Sequence, residues 1–183
     1  DKKQKIKAKK IIIATGGRPK EFPGIKYDGK RLITSKEAMT LKTIPKKLII
    51  IGAGAIGVEF AYFYNEYGSE VHLIEMMSNI LPIEDEDLSK ELETNFEKAG
   101  INIYKNSKVS KIQKLQKSVK VHINEGAASK IIEADIVLVA TGVTGNIEGI
   151  GLEDAGVETV NGSIKINEYN QTSIDNIYAI GDV

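Results

Sequence analysis

Residues 48–75, LIIIGAGAIGVEFAYFYNEYGSEVHLIE, decide how this chain is read. Leu48, Ile49, Ile50 and Ile51 form an unbroken apolar run, the mark of a parallel strand buried on both faces and covered by a layer on each side. Gly52, Gly54 and Gly57 follow as Gly-x-Gly-x-x-Gly, with Ala53, Ala55 and Ile56 between them. Ile56, Phe60, Phe63, Tyr64 and Tyr67 then recur at roughly helical spacing, and Gly68 supplies a stop. Val71, Leu73 and Ile74 resume as a strand that closes on Glu75. Strand, glycine turn, amphipathic helix and second strand make one βαβ unit.

The residue types in this unit fit one chemistry. Gly52 permits the tight turn, Gly54 removes the Cβ that would keep a pyrophosphate from the backbone, and Gly57 lets helix and strand pack closely. A helix that opens here aims free N–H groups and the positive end of its dipole at phosphate. Glu75, at the carboxyl end of the second strand, can accept hydrogen bonds from both hydroxyls of an adenosine ribose. Glycine-rich turns also occur for turn reasons alone. This one follows a strand, opens a helix and reaches an acid at about the 20-residue spacing of a dinucleotide fold, so dinucleotide binding is expected over a plain α/β turn. A 2′-phosphate would be repelled by Glu75 and favours a nearby arginine. The chain has two arginines, Arg18 and Arg31, both before the motif, and Met76, Met77 and Ser78 after Glu75 offer no cation. The expected dinucleotide is NAD rather than NADP.

With 183 residues, 42% of them hydrophobic, the chain can bury a sizeable core. Its 25 basic and 25 acidic residues balance, which gives no electrostatic footprint for nucleic acid or an anionic membrane. The basic run over 2–10, spaced by Ile6 and Ala8, reads as a solvated lead into a strand. No stretch approaches the ~18 apolar residues of a membrane span and no signal peptide is visible, so a cytosolic or organelle-matrix setting is expected. Cysteine is absent, which excludes disulfides, a thiolate zinc site and cysteine redox chemistry carried by these residues.

Working outward, 10–14 is a short apolar strand broken by Thr15 to Pro19, and Phe22, Pro23, Gly24 and residues 28–30 continue as loop. Thr34 with Glu37 forms a capping box that opens a short helix through Leu41. After Glu75 a loop through Leu81 and Pro82 leads to an acidic helix start at 84–87, with Leu88, Leu92, Phe96 and Ala99 on one face and Gly100 at the end. Residues 101–104 read as a strand. Segments 108–116, 119–124 and 130–133 alternate weakly and predict an antiparallel meander, with 124–128 as one of its turns, that crosses the sheet in place of a helix. A buried strand follows at 136–140, then glycine-rich loop over 145–161 with one helical turn at 152–155, and short strands at 164–166 and 177–180. The expected fold is α/β: a Rossmann-like parallel sheet with an antiparallel β-meander crossover.

Two strands close in Ala-Thr-Gly, at Ile13 to Gly17 and at Val139 to Val143, and the chain finishes in Ile177-Tyr178-Ala179-Ile180-Gly181-Asp182-Val183. With the βαβ unit, this ordered set resembles the flavoprotein disulfide reductases that hold two dinucleotides. Within them GAGAIGVEF (52–60), VHLIE (71–75), ILPIEDED (80–87) and EGIGLEDAGV (148–157) are most similar to the dihydrolipoyl dehydrogenase branch.

The resemblance implies that each Ala-Thr-Gly string marks a crossing between an FAD domain and an NAD domain. Residues 45–143 would then be the NAD-binding domain. Residues 1–44 and 144–183 would be partial FAD-domain segments, and the finish at a strand end fits a portion of a longer enzyme. Gly52, Gly54 and Gly57, with Ala55 and Ile56 between them, would hold the NAD pyrophosphate and Glu75 the adenosine ribose. Glu59 would lie near the nicotinamide carboxamide, or else be a solvated first-turn glutamate favoured by the helix dipole. Val109 would pack by the adenine, or else be an ordinary core residue, and Gly142 would approach the nicotinamide half by its backbone. Thr15, Gly16 and Asp182 match positions facing the flavin. The implied parent passes hydride from FAD to NAD⁺, takes lipoyl domains of 2-oxo acid dehydrogenase complexes as partners and forms a homodimer. Its paired redox cysteines and His-Glu pair are not in these residues, so no catalytic residue and no metal ligand is assigned here. His72 and His122 read as packing or surface residues. The alternatives are the NAD domain of an NADH oxidase or of a mercuric or glutathione reductase-like enzyme, and a stand-alone NAD-sensing module. Two departures stand out: Gly142-Val143-Thr144-Gly145-Asn146 replaces the family's Gly-Arg-x-Pro-Asn, and Ala55 sits where some relatives place an aromatic over the flavin.

Overall fold

The computed structural model describes residues 4–22, 24–126 and 128–183; the start of the basic run, Pro23 of the expected loop and Ala127 of the expected meander turn lie outside the described residues. In chain order the elements begin with β1 (Ile11–Ile13), β2 (Gly17–Pro19), β3 (Leu32–Ile33), α1 (Ser35–Ala38), β4 (Lys47–Ile51), α2 (Ala55–Glu66), β5 (Glu70–Ile74), α3 (Glu86–Lys98) and β6 (Asn102–Tyr104). They continue with β7 (Ser107–Lys114), β8 (Val119–Glu125), β9 (Ala128–Ala134), β10 (Ile136–Val139), β11 (Val143–Gly145), α4 (Leu152–Ala155), β12 (Thr159–Val160), β13 (Ser163–Ile164) and β14 (Ile177–Ala179). Two compact units result: Glu21–Gly142, and the residues up to Lys20 together with Val143–Val183.

In the first unit, β3, β10, β4, β5 and β6 form a five-stranded parallel sheet in that order. Side chains alternate across it, as strand geometry requires. Leu48 and Ile50 of β4, Val71 and Leu73 of β5 and Leu138 of β10 pack with Val58, Ala61 and Tyr64 of α2 and Phe96 of α3. Ile49, Ile51, Ile74, Val137 and Val139 face the other way and pack on Val119, Val121 and Ile123 of the antiparallel sheet β7–β8–β9. The expected α/β sheet with a meander for one covering layer is therefore what forms, and β4 is buried on both faces.

Four expectations about this unit change. The buried face of α2 is Gly57, Val58, Ala61 and Tyr64, while Tyr62, Phe63 and Tyr67 are exposed. The reason is close approach: a Cβ on Gly57 would lie 1.9 Å from the Gly52 carbonyl oxygen, so the small residues face the sheet, with Ile56, Phe60 and Tyr64 of the expected stripe packing beside them and Phe63 and Tyr67 turned outward. On α3, Leu88 is exposed and Ser89 buried, because the Ser89 hydroxyl donates to the Ile80 carbonyl and fixes that face inward. Residues 21–44, expected to belong with the preceding segment, pack here instead. Leu32 and Ile33 pair with β10, and the Tyr64 hydroxyl donates to the Ala38 carbonyl at 2.6 Å. The capping box forms, with the Thr34 N–H 2.9 Å from Glu37 Oε2, although the helix it opens ends at Ala38 rather than Leu41.

The second unit is built from ribbons. β1 runs parallel to β14, and β2, where a break is expected, pairs antiparallel with β11, which ends at Gly145 where the expected loop begins. β12 and β13 make a hairpin across Asn161 and Gly162, both at positive φ (52° and 84°), the type I′ geometry that Asn-Gly favours. Its core gathers Leu152 of the expected helical turn with Val157, Ile164, Ile177, Ala179 and Val183.

Candidate functional site

At the carboxyl end of β4 the chain turns on Gly52, whose φ of 99° and whose missing Cβ are both required. A Cβ there would sit 2.6 Å from the Ala140 carbonyl oxygen. The Gly52 N–H donates to the Ile74 carbonyl at 2.8 Å, tying the turn to β5. Ala53 is buried; its N–H donates to Glu75 Oε2 at 2.8 Å and its carbonyl accepts the Leu81 N–H at 2.7 Å. Gly54 caps α2 with extended backbone; no side chain caps this helix end and no acid lies in its first turn. The orphan N–H groups and positive dipole end of a 12-residue helix are thus left for an anion.

Glu75 is held on every side. It is 6% exposed, its Oε1 accepts the Met77 N–H at 2.8 Å, its own N–H donates to the Tyr104 carbonyl at 2.8 Å, and its carbonyl accepts the Ser107 N–H at 2.9 Å. Each carboxylate oxygen has a second acceptor site beyond these bonds, so the fixed group can still take hydroxyl donors. Leu81, which reaches back to Ala53, has φ 46°, a left-handed conformation that a leucine adopts only when its surroundings impose it.

Gly52, Gly54, Ala55, Ile56 and Gly57 are consecutive with this turn, and Glu75 is bonded to it. Gly142, at φ 114°, lies two residues beyond the Ala140 that abuts Gly52. Val109 is half-buried on β7, two residues past the Ser107 tied to Glu75, and packs against the meander-side core. Glu59 is exposed and lies in the second turn of α2, not the first. It lines a groove of about 480 Å³ with Met39, Tyr62 and Phe63. His72 is a packing residue: it is buried, its Nδ1 is 3.1 Å from the Tyr104 hydroxyl, and its Nε2 is 2.9 Å from Glu70 Oε1.

Thr15, Gly16 and Asp182 belong to the other unit. There the Thr15 hydroxyl donates to the Asn146 carbonyl (2.8 Å), the Asn146 amide donates back to the Thr15 carbonyl (2.9 Å), and the Asn146 N–H donates to the Gly16 carbonyl (2.8 Å). Asp182 is exposed and its backbone lies against Gly17. Arg18 grips Glu148 with both terminal nitrogens (2.9 and 2.6 Å) and also donates to the Gly145 carbonyl at 3.0 Å. The Arg18 hydrogen bonds to Glu148 hold its carboxyl below the usual carboxylate range. A guanidinium therefore does reach the departed motif, from β2 rather than from position 143. The glycine in place of the family's proline is also explained: a Cβ on Gly145 would lie 2.9 Å from both the Gly162 carbonyl oxygen and the Val183 carbonyl carbon.

Sequence reasoning missed the parts played by Ala53, Leu81 and Met77, which act through backbone groups and carry no side-chain signature. Asn146 was visible only as the last letter of a motif. Among the described residues no group of acidic or histidine side chains could hold a metal, and no helix is long and apolar enough to cross a membrane.

The whole chain, residues 1–183, matches the family model described as pyridine nucleotide-disulphide oxidoreductase. It is 46% identical over 177 residues to a dihydrolipoyl dehydrogenase of Chlorobaculum tepidum, covering 96% of this chain and 38% of that protein. A glutathione reductase of Nostoc sp. strain PCC 7120 is 42% identical over 193 residues, covering 98% of this chain and 41% of the relative. Among solved structures, LpdA from Mycobacterium tuberculosis is similar with a TM-score of 0.83 at 30% identity, over 93% of this chain and 37% of that one. The chain spans about two-fifths of the length of these relatives. The motifs' resemblance to the flavoprotein disulfide reductases is borne out, with dihydrolipoyl dehydrogenases and a glutathione reductase both among the relatives, and the protein belongs to the pyridine nucleotide-disulphide oxidoreductase family.

Proposed function

We propose that Glu21–Gly142 is the NAD(H)-binding domain of a flavoprotein dehydrogenase of the dihydrolipoyl type, and that the ribbon unit is part of its FAD side. The observation that carries this reading is Gly54. Each other glycine among the described residues has either a positive φ or an atom within 4 Å of where its Cβ would stand. Gly54 has neither: φ is −72° and nothing among the described residues lies within 4 Å. The chain itself has no need of a glycine there, whereas a pyrophosphate lying on the turn does.

In this reading the N–H groups of Ala55, Ile56 and Gly57 bind the pyrophosphate, and Glu75, fixed by Ala53 and Met77, accepts the ribose hydroxyls. Val109 borders the adenine, Gly142 gives backbone access to the nicotinamide half, and Glu59 lies near the carboxamide. When bound, NAD⁺ accepts hydride from reduced flavin. The residues named here act remotely on the dinucleotide, converting its binding energy into orientation of the reacting ring. Thr15, Gly16 and Asp182 serve the FAD side. The parent oxidises dihydrolipoyl groups presented by lipoyl domains and works as a homodimer in the cytoplasm or the mitochondrial matrix. This chain, which has no cysteine, reduces no NAD⁺ with dihydrolipoamide by itself. The glutathione reductase relative at 42% identity favours a second reading, an NADP-linked reductase domain. Glu75 and the cation-free Met76, Met77 and Ser78 argue against it.

Calorimetric titration of the chain with NADH and NADPH decides between them. NADH should bind at least about tenfold more tightly, the difference of one repelled phosphate. Gly54→Ala should weaken NADH by about tenfold or more at unchanged melting temperature, since the new methyl meets only ligand. Equal affinities would remove the role given to Glu75, and undiminished binding by Gly54→Ala would overturn the dinucleotide site.

A further inference from the structure

The opposite end of the parallel sheet carries a second concavity. β4 begins at Lys47 and reaches Gly52 five residues later, so the amino ends of the strands lie about 16 Å from the glycine turn. There, where β3, β4 and β10 start, a cleft of about 800 Å³ opens. Its apolar surface comes from Ile44, Pro45, Leu115 and Ile136. Its charged residues are Lys30, Arg31, Lys46 and Lys114 against Asp28 and Asp135.

The two carboxylates are spent within the fold, on backbone N–H groups and, for Asp28, also on Lys114. Asp28 Oδ1 accepts the N–H groups of Lys30, Arg31 and Leu32 at 3.0, 2.8 and 3.0 Å, and its Oδ2 meets Lys114 Nζ at 3.3 Å. Partial burial pushes the Asp28 carboxyl up, but these donors outweigh it and hold the group far below the usual carboxylate range. Asp135 Oδ2 accepts the Lys47 N–H at 2.9 Å. Arg31 is positioned rather than paired: its terminal nitrogens donate to the carbonyls of Asp135 (2.9 Å) and Gln116 (3.4 Å), two different loops. Those bonds leave further guanidinium donors and the whole positive charge available. Lys30 and Lys46 form no ion pair among the described residues. Like charges facing one concavity focus a positive potential inside it, which an uncompensated fold gains nothing by keeping.

We propose that this cleft is an anion-binding site, separate from the dinucleotide turn, for a compact organic polyanion. Its ligand carries two or more phosphate or carboxylate groups on a small apolar body. The cations supply the charge match and the fixed Arg31 its orientation. The apolar surface takes the ligand's body, and the volume is that of a small-molecule site rather than of a protein interface. The assignment does not rest on the dinucleotide reading.

The test is titration of the full chain with inorganic tripolyphosphate and, separately, with citrate, each followed by calorimetry and by amide chemical shifts. At least one of the two should bind, with shifts centred on residues 28–31, 43–46 and 114–116; which one binds tells phosphate from carboxylate. Lys30→Gln/Lys46→Gln should weaken it by about tenfold, at unchanged melting temperature, because neither lysine holds the fold. Lys7→Gln/Lys9→Gln, which removes the same charge from the other unit, should change it by less than about twofold, and so should Gly54→Ala. Equal losses in both lysine pairs would mean bulk charge and overturn the site. So would shifts centred on residues 52–57, or binding of a polyglutamate peptide with no binding of either small anion.

Discussion

Two strands of this protein are written almost alike and live differently. Lys10-Ile11-Ile12-Ile13 runs into Ala14-Thr15-Gly16, and Lys47-Leu48-Ile49-Ile50-Ile51 runs into Gly52-Ala53-Gly54. Ile12 of β1 is 64% exposed, whereas Ile50 of β4 is 0% exposed. β4 has parallel partners on both edges, helices over one face and the meander over the other. Among the described residues β1 pairs only with β14. An apolar run thus specifies a strand, but its burial is conferred by neighbours that arrive from elsewhere in the chain. The largest expected difference follows: Ile50→Ala should cost about 2–5 kcal/mol of stability in urea unfolding, through lost transfer energy and the cavity left behind. Ile12→Ala should stay within about 0.5 kcal/mol. Equal losses would break the comparison.

The turns that end these strands sharpen it. Both are glycine turns tied down by a side chain from a later segment, Glu75 for β4 and Asn146 for β1. Glu75 is buried and accepts the Ala53 and Met77 N–H groups, so Glu75→Gln presents an amide NH₂ to one of these two donors. It should cost about 1–3 kcal/mol. Asn146→Ala removes two exposed side-chain bonds, the amide to the Thr15 carbonyl and the acceptor for Arg18, and leaves no buried group unpaired, so it should cost about 0.5–1.5 kcal/mol. Thermal unfolding of the two variants side by side checks the order, and a costlier Asn146→Ala would reverse the ranking of the two turns.

The sequence was legible where local chemistry and tertiary environment agree. The βαβ unit, the capping box at Thr34, the three meander strands and the turn at Leu152 all rest on periodicity or on side chains acting within a few residues. The stripe of α2 is legible only in part: Ile56, Phe60 and Tyr64 pack on the core while Phe63 and Tyr67 do not, because Gly57 and Ala61, the residues that let backbone approach backbone, carry almost no hydropathy signal. The sequence divides the chain after residue 44, whereas Glu21–Gly142 packs as one compact unit; a two-residue strand, Leu32–Ile33, has no readable period, and only its pairing with β10 shows where it packs. β2 lies where a break is expected and β11 runs up to Gly145, where the expected loop begins; both are too short to show a period. The Asn161-Gly162 hairpin did have a local signal, the dipeptide itself, hidden by the glycines around it. At the site, the glycines and Glu75 were visible as letters, while the backbone groups that fix them were not.

The smallest effect separates the neighbours of the two strands. In register, Ile49 of β4 stands beside His72, and Ile12 of β1 beside Tyr178. Burial lowers the pKa of His72 below its ordinary 6.5; Glu70 opposes this, while Lys47 and the Lys130 of β9 reinforce it. The folded imidazole is therefore neutral where the unfolded one begins to take a proton. The unfolded state binds more protons, so stability is full above 6.5, declines as pH falls through that value, and stops declining below the folded pKa. Between about pH 7.5 and pH 5.5 no carboxylate titrates, so the slope belongs to histidine. Hydrogen exchange followed separately on β5 and β14 should show protection falling with pH in β5 alone, and His72→Gln, which keeps a polar partner for Glu70, should flatten it. A slope of opposite sign would mean that Glu70 prevails over burial and that the native imidazole carries the charge.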